Sequence, residues 1–258
     1  MTVELARQEA GQGPPLVILH GLFGQARNWA GIAKGLADRR RTIALDLRNH
    51  GASPWAEEMD YPAMAADVAA AIEALPEGAA ELVGHSMGGK AAMLVALQRP
   101  ELVRRLVVAD IAPKAYQRGS LLPYVEAMAA VDPSTAGSRK EVDAALADSV
   151  TDPGIRQFLM SNLVRGDGGG FRWTLNLAAI RAAMPALTGW PDVRGSYDGP
   201  TLFLAGEKSD YVADADLAAI REPFPQAELE RVPGAGHWIH AEAPQATLDA
   251  LRRFLPSD

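Results

Sequence analysis

The 258-residue chain has no cysteine, which excludes disulfides, thiolate metal sites and a thiol nucleophile together. Positive charge is also scarce: 25 Lys and Arg stand against 32 Asp and Glu, a net charge of −7. Nucleic acid and anionic membranes are bound through clustered cations, so both partners are disfavoured. No apolar run approaches membrane-spanning length, and the opening MTVELARQEAGQGPP lacks the basic start and apolar stretch of a signal peptide. These absences leave a cytoplasmic enzyme or small-molecule binding protein as the expectation. What is present, 48% apolar and 22% charged residues, is ordinary for a folded globular chain. The length allows one large domain or two small ones.

Between residues 16 and 110, short apolar runs alternate with helical patterns, the signature of βαβ units and a parallel sheet. The runs are LVILH (16–20), TIALDL (42–47), AELVGH (80–85) and RLVVAD (105–110). NWAGIAKGLADR, YPAMAADVAAAIEAL and GGKAAMLVALQRP lie between them, with apolar residues at helical spacing. From Ile111 to about Asp198 this rhythm stops. LLPYVEAMAAV, RKEVDAALADSV, IRQFLMSNLV and LNLAAIRAAMPAL read as amphipathic helices, broken by Pro and by GDGGG, with no good buried strand among them. The rhythm resumes with TLFLAG (201–206), a helix near 214–222, the strand ELERV and a last helix from about 244 to 255. The expected organisation is an α/β core of residues 1–110 and 199–258 that carries a helical lid, residues 111–198.

The stretch LVGHSMGGKA (82–91) admits two parsings. From Gly84 to Lys90 it is nearly a phosphate-cradling P-loop, and from Gly84 to Gly88 it is the G-x-S-x-G of a nucleophile elbow. A P-loop follows its lysine with Ser or Thr to bind Mg²⁺, and this chain has Ala91. An elbow needs small residues two before and two after the serine, because the tight strand-to-helix turn crowds them. Gly84 and Gly88 meet that need, the apolar run AELV enters and the helix former GKAAMLVAL leaves. Upstream, LVILHGLFG ends a strand in His20-Gly21, where glycine permits a sharp turn and the Leu22 N–H can point at a developing oxyanion. Met87, directly after the serine, supplies the second such N–H.

A serine hydrolase also needs a general base late in the chain. His237, in VPGAGHWIH after the final strand, has that position, whereas the P-loop parsing gives it no task; His240 reads as leading into the last helix and hydrogen-bonding locally. The acid has two candidates. Asp210 lies one residue beyond the usual slot, which Ser209 occupies, and Asp110 ends the strand that follows the nucleophile's helix. The displaced slot favours Asp110, since one carboxylate suffices to face the imidazole.

With HGLFG, DLRNHGASP, GHSMGGKAAM, LVVADIAP, FRWTLNL and GHWIHAE in view, the chain resembles the α/β-hydrolase superfamily, more narrowly the YbfF-type bacterial acyl-esterases and their mitochondrial abhydrolase relatives. The resemblance runs from about residue 15 to the C-terminus. It implies a mostly parallel sheet flanked by helices, Ser86 and His237 as catalytic residues, Asp110 as the matching acid, and hydrolysis of esters or thioesters without cofactor or metal. The N-terminus is short for the two antiparallel strands that usually open this fold, so seven or eight strands are expected. RNHG-x-SP (48–54) is expected to shape a loop at the catalytic end of the sheet, and Lys90 to pair with a carboxylate.

The lid is where specificity is expected, because it covers the carboxyl ends of the strands. Of its apolar residues, Met128 and Trp190 are the candidates for lining an acyl pocket. Residues 111–198 hold nine Lys or Arg and nine Asp or Glu, a balance that singles out no polyphosphate such as coenzyme A. The expected substrate is therefore a simple ester of short to medium acyl length. An acyl-CoA thioesterase, a C–C hydrolase or lyase on the same triad, and a non-catalytic receptor remain alternatives, and the oligomeric state is open.

Overall fold

Apolar runs without a polar alternation form strands when both faces of a sheet are covered, and here both are. The computed structural model describes residues 1–116, 121–166 and 168–255. Seven strands form one sheet: β1 (Arg7–Ala10), β2 (Pro15–Leu19), β3 (Arg41–Leu45), β4 (Ala80–His85), β5 (Val103–Ala109), β8 (Thr201–Gly206) and β9 (Ala227–Val232), in the order β1-β3-β2-β4-β5-β8-β9. Only β1 runs antiparallel, against β3; the remaining pairs are parallel. The short N-terminus supplies that single antiparallel strand.

Side chains alternate across the sheet. Val17, Leu19, Leu82, Leu106, Val108 and Phe203 pack in one apolar cluster with α2 (Tyr61–Glu73) and α3 (Met87–Gln98). Leu16, Ile18, Val83, Val107 and Leu202 pack on the other face with α1 (Ala30–Leu36) and α10 (Pro244–Phe254). The short α8 (Leu217–Arg221) and α9 (Ile239–Glu242) complete the C-terminal part.

Between β5 and β8 lie α4 (Leu122–Ala129), α5 (Arg139–Ala147), α6 (Pro153–Met160) and α7 (Leu177–Thr188). Three of these helices begin at a side-chain cap that satisfies a first-turn N–H: Ser138 for α5, Asp152 for α6 and Asn176 for α7. The expected helix over IRQFLMSNLV is corrected at its end. It stops at Met160, and Leu163–Arg165 forms β6, antiparallel to β7 (Phe171–Trp173). The glycine cluster that breaks the helical pattern is the turn of this hairpin, and an isolated two-stranded ribbon of three residues per strand is too short to show a strand period. Asp167 in that cluster, residues 117–120 of the expected lid, and residues 256–258 lie outside the described residues.

The inserted segment is tied to the sheet region at both ends of α7. At its C-terminal end, the Tyr61 hydroxyl donates to Leu187 O at 2.6 Å. Lys90 Nζ donates to the carbonyls of Thr188 and Gly189. This corrects the expected carboxylate partner. The buried ammonium instead caps the negative end of a helix, with the rings of Tyr61 and Tyr116 at 5.4 and 4.9 Å, and burial lowers its pKa to about 8. At the N-terminal end, the Asn176 N–H and its side-chain amide both donate to Asn49, at 3.0 Å each.

Candidate active site

β4 runs directly into α3 through Ser86, which is held at φ 52° and ψ −118°. A non-glycine residue there is strained, and the crowding around it explains the flanking glycines. A Cβ on Gly84 would run into the Gly88 carbonyl, and one on Gly88 would lie 2.5 Å from His20 O and 2.8 Å from Leu19 Cβ. Among the described residues, four that are not glycine have positive φ: Phe23, Asn49, Ser86 and Asp110. All four follow parallel strands at their carboxyl ends: Phe23 after β2, Asn49 after β3, Ser86 after β4 and Asp110 after β5.

His237 reaches this edge from the loop after β9. Its Nε2 lies 3.0 Å from Ser86 Oγ and its Nδ1 lies 2.7 Å from Asp110 Oδ2. Asp110 is fully buried, and its carboxylate also accepts from Gly206 N at 2.9 Å and from Ser209 Oγ at 2.5 Å. Ser209, in the slot where the family's acid usually stands, therefore points at the same place but brings a hydroxyl. Asp210 is exposed, so of the two candidate acids the fold brings only Asp110 to His237. The His237 ring stacks on Tyr211 at 4.0 Å. Its loop is pinned by Glu242, whose carboxylate accepts from Gly236 N at 2.8 Å and Trp238 N at 3.1 Å. Glu242 has a signal in the sequence, an acidic residue in the first turn of a short helix five residues after the histidine, but nothing local ties it to the loop of His237.

The N–H groups of Leu22 and Met87, residues that line the same cavity as Ser86, find no acceptor among the described residues. For Met87 this follows from its position at the start of α3, where first-turn N–H groups have no partner within the helix. The loop that carries Leu22 is clamped one residue later. The Phe23 N–H donates to His50 Nε2 at 3.3 Å, and Phe23 O accepts from Asn162 Nδ2 at 2.8 Å. His50 Nδ1 in turn donates to Arg48 O, so RNHG shapes the catalytic edge through His50. His20 Nε2 accepts from Leu47 N at 3.0 Å. Burial keeps both imidazoles neutral, with pKa values lowered to about 4 for His20 and about 3 for His50. Asn162, on the inserted segment, carried no recognisable signal because its partner is far off in sequence.

Two cavities meet at Ser86. The larger, about 220 Å³, is lined by His237, Trp238, Tyr124, Ile155, Phe158 and Leu159; the smaller, about 50 Å³, by Met87, Lys90, Tyr61, Tyr116, Met184 and Leu187. Leu22, Leu121 and Tyr211 border both. The two residues chosen from the sequence to line a pocket are corrected. Met128 is fully buried in the apolar core, and Trp190 lines a separate groove with Leu97 and Pro223, because the chain after α7 returns along the side of the sheet. His240 is also corrected: its ring stacks on Trp29 at 4.4 Å, its Nδ1 has no hydrogen-bond partner, and burial lowers its pKa to about 4. Among the described residues no group of three or more His, Asp or Glu could hold a metal ion, and no helix is long and apolar enough to cross a membrane.

Comparison with known proteins agrees with this fold. Residues 14–141 match the family described as the alpha/beta hydrolase fold. The chain is 45% identical to the sn-1-specific diacylglycerol lipase ABHD11 of Mus musculus, over 94% of this chain and 81% of that one. It is 36% identical to esterase YbfF of Escherichia coli, over 96% and 95% of the two chains. A solved structure, a marine microorganism esterase, superposes with a TM-score of 0.95 at 38% identity, covering 98% of this chain and all of the other. These relatives match nearly the whole chain, and the chain belongs to the α/β-hydrolase family.

Proposed function

We propose that this ester hydrolase works by a Ser86-His237-Asp110 triad on carboxylic esters of short to medium acyl length. His237 Nε2 takes the proton from Ser86 Oγ as the oxygen attacks the ester carbonyl, and Asp110 orients and stabilises the imidazolium. The N–H groups of Leu22 and Met87 receive the oxyanion, as dipoles fixed before the reaction begins. The imidazolium protonates the departing alkoxide. Water, deprotonated by the same histidine, then releases the acid from the acyl-enzyme. The segment between residues 111 and 198 acts as the lid of this site, since Leu121, Tyr124, Ile155 and Phe158 from it line the cavity at Ser86.

The observation that carries this reading is the relay itself, 3.0 Å from serine to imidazole and 2.7 Å from imidazole to a buried carboxylate. The esterase and lipase names of the relatives support the same reaction class. Ser86→Ala is expected to abolish both p-nitrophenyl butyrate turnover and covalent labelling by a fluorophosphonate while leaving the far-ultraviolet circular dichroism unchanged. Continued labelling of the folded variant would remove Ser86 from the mechanism.

A further inference from the structure

We propose that the smaller cavity receives the acyl half of the ester and the larger one the alcohol half, so that the substrate joins a short acid to a bulky apolar alcohol. The inference rests on the serine-hydrolase reading above and specifies its substrate. In acyl transfer the group that leaves must take a proton from the imidazole, so the alkoxide oxygen and what it carries lie on the His237 side. His237 and Trp238 line the larger cavity. The acyl group stays bonded to Ser86 after the alcohol departs, and its chain extends to the other side. There the smaller cavity opens, lined by Met87 and Lys90 from the first turn of α3.

The sizes then assign the halves. A water-sized group needs about 10–15 Å³ of such space, so the smaller cavity holds about four heavy atoms and the larger about fifteen to twenty. Four atoms correspond to an acetyl to butyryl chain.

The walls of the small cavity are also fixed. The Tyr61 hydroxyl is committed to Leu187 O, and the Tyr116 hydroxyl donates to Tyr211 O while accepting from Ala112 N. Where Tyr61, Met184 and Leu187 line it the wall is buried core, so a longer chain meets packed side chains there, while Tyr116, Leu121 and Thr188, which also line it, are half-buried. On the other side Ile155, Phe158 and Trp238 are half-buried, and a longer alcohol extends past them towards solvent.

The test varies one half of the ester at a time. With p-nitrophenol constant, kcat/KM is expected to fall at least about 10-fold between butyrate and octanoate. With acetate constant, it is expected to rise at least about 10-fold from methyl to octyl acetate. Leu187→Ala is expected to move the acyl optimum to longer chains and leave the alcohol preference unchanged, whereas Phe158→Ala flattens the alcohol preference alone. Octanoate turned over faster than butyrate, or an unchanged acyl profile in folded Leu187→Ala, would overturn the assignment. Ser86→Ala, run in parallel, separates the two levels. If it still turns over the esters, the triad reading fails; if it is silent while the wild type shows the inverse chain preference, only the subsite assignment fails.

Discussion

In the sheet region, charge is buried in pairs. Arg48 holds Asp67 at 2.6 and 2.8 Å with both side chains out of solvent, and Arg40 holds Glu81 of β4 at 2.5 and 3.1 Å. In the segment between β5 and β8, ion pairs such as Arg181–Glu126 stay exposed, and the buried polar contacts to the rest of the chain are mostly neutral: Asn162 to Phe23 and Gln25, Asn176 to Asn49, Tyr61 to Leu187 O. The contrast has a physical basis. A pair buried between the sheet and the elements packed beside it keeps its geometry only while both are folded, and losing one partner strands a charge. Neutral contacts cost less to open, as the proposed lid role of this segment requires.

The largest expected effect falls on the acid. Asp110→Asn is expected to lower kcat by roughly 10⁴ through the wrong imidazole tautomer, whereas Asp210→Asn should stay within about two-fold, as kinetics on p-nitrophenyl butyrate would reveal. Next comes acid stability. His20, His50 and His240 lie in the sheet region with native pKa values of about 4, 3 and 4, against an ordinary 6.5. The unfolded chain therefore binds protons that the native state refuses. The stability they contribute is complete above about pH 6.5 and is lost as pH falls towards 4 and then 3, a loss on the order of several kcal/mol. Urea unfolding at pH 7, 5.5 and 4.5 measures it; a flat profile would contradict neutral burial.

The two kinds of ion pair can be compared directly. Asp67→Ala is expected to cost about 3–5 kcal/mol in urea unfolding, and Arg181→Ala less than about 1 kcal/mol. Equal losses would erase the distinction between the two regions. The smallest effect concerns the neutral tie from the inserted segment to the loop of Leu22. Asn162→Ala frees Phe23 O, and a roughly ten-fold fall in kcat with KM little changed is expected from a loosened oxyanion donor. A change confined to KM would mean that Asn162 shapes the cavity instead.

The strands β2, β3, β4, β5 and β8 were legible because each is a run of apolar residues long enough to be covered on both faces, and their ends fell within two residues of the observed ones; β1 (RQEA) is polar and exposed and left no such run. The hairpin of β6 and β7 was not, because three-residue strands leave no period and LNLAAIRAAMPAL-like helical patterns surround them. Glycine placement was the strongest local signal: Gly84 and Gly88 are dictated by backbone crowding that any elbow shares. Lys90 and His240 were misread because their surroundings are made by distant chain. Carbonyls from the end of α7 stand where a carboxylate was expected, and Trp29 stands where a local hydrogen bond was expected.

The sequence by itself determined the α/β architecture, the strained turn at Ser86 and the late histidine, since each depends on neighbours within a few residues. The tertiary structure decided which carboxylate meets His237, because that depends on Ser209 and Gly206 of β8 and its loop converging on the end of β5. It also decided the cavity walls. Met128 and Trp190 are as apolar as Tyr124 and Phe158, and only the packing of α4 and α6 against the catalytic edge separates residues that touch the site from residues that fill the core.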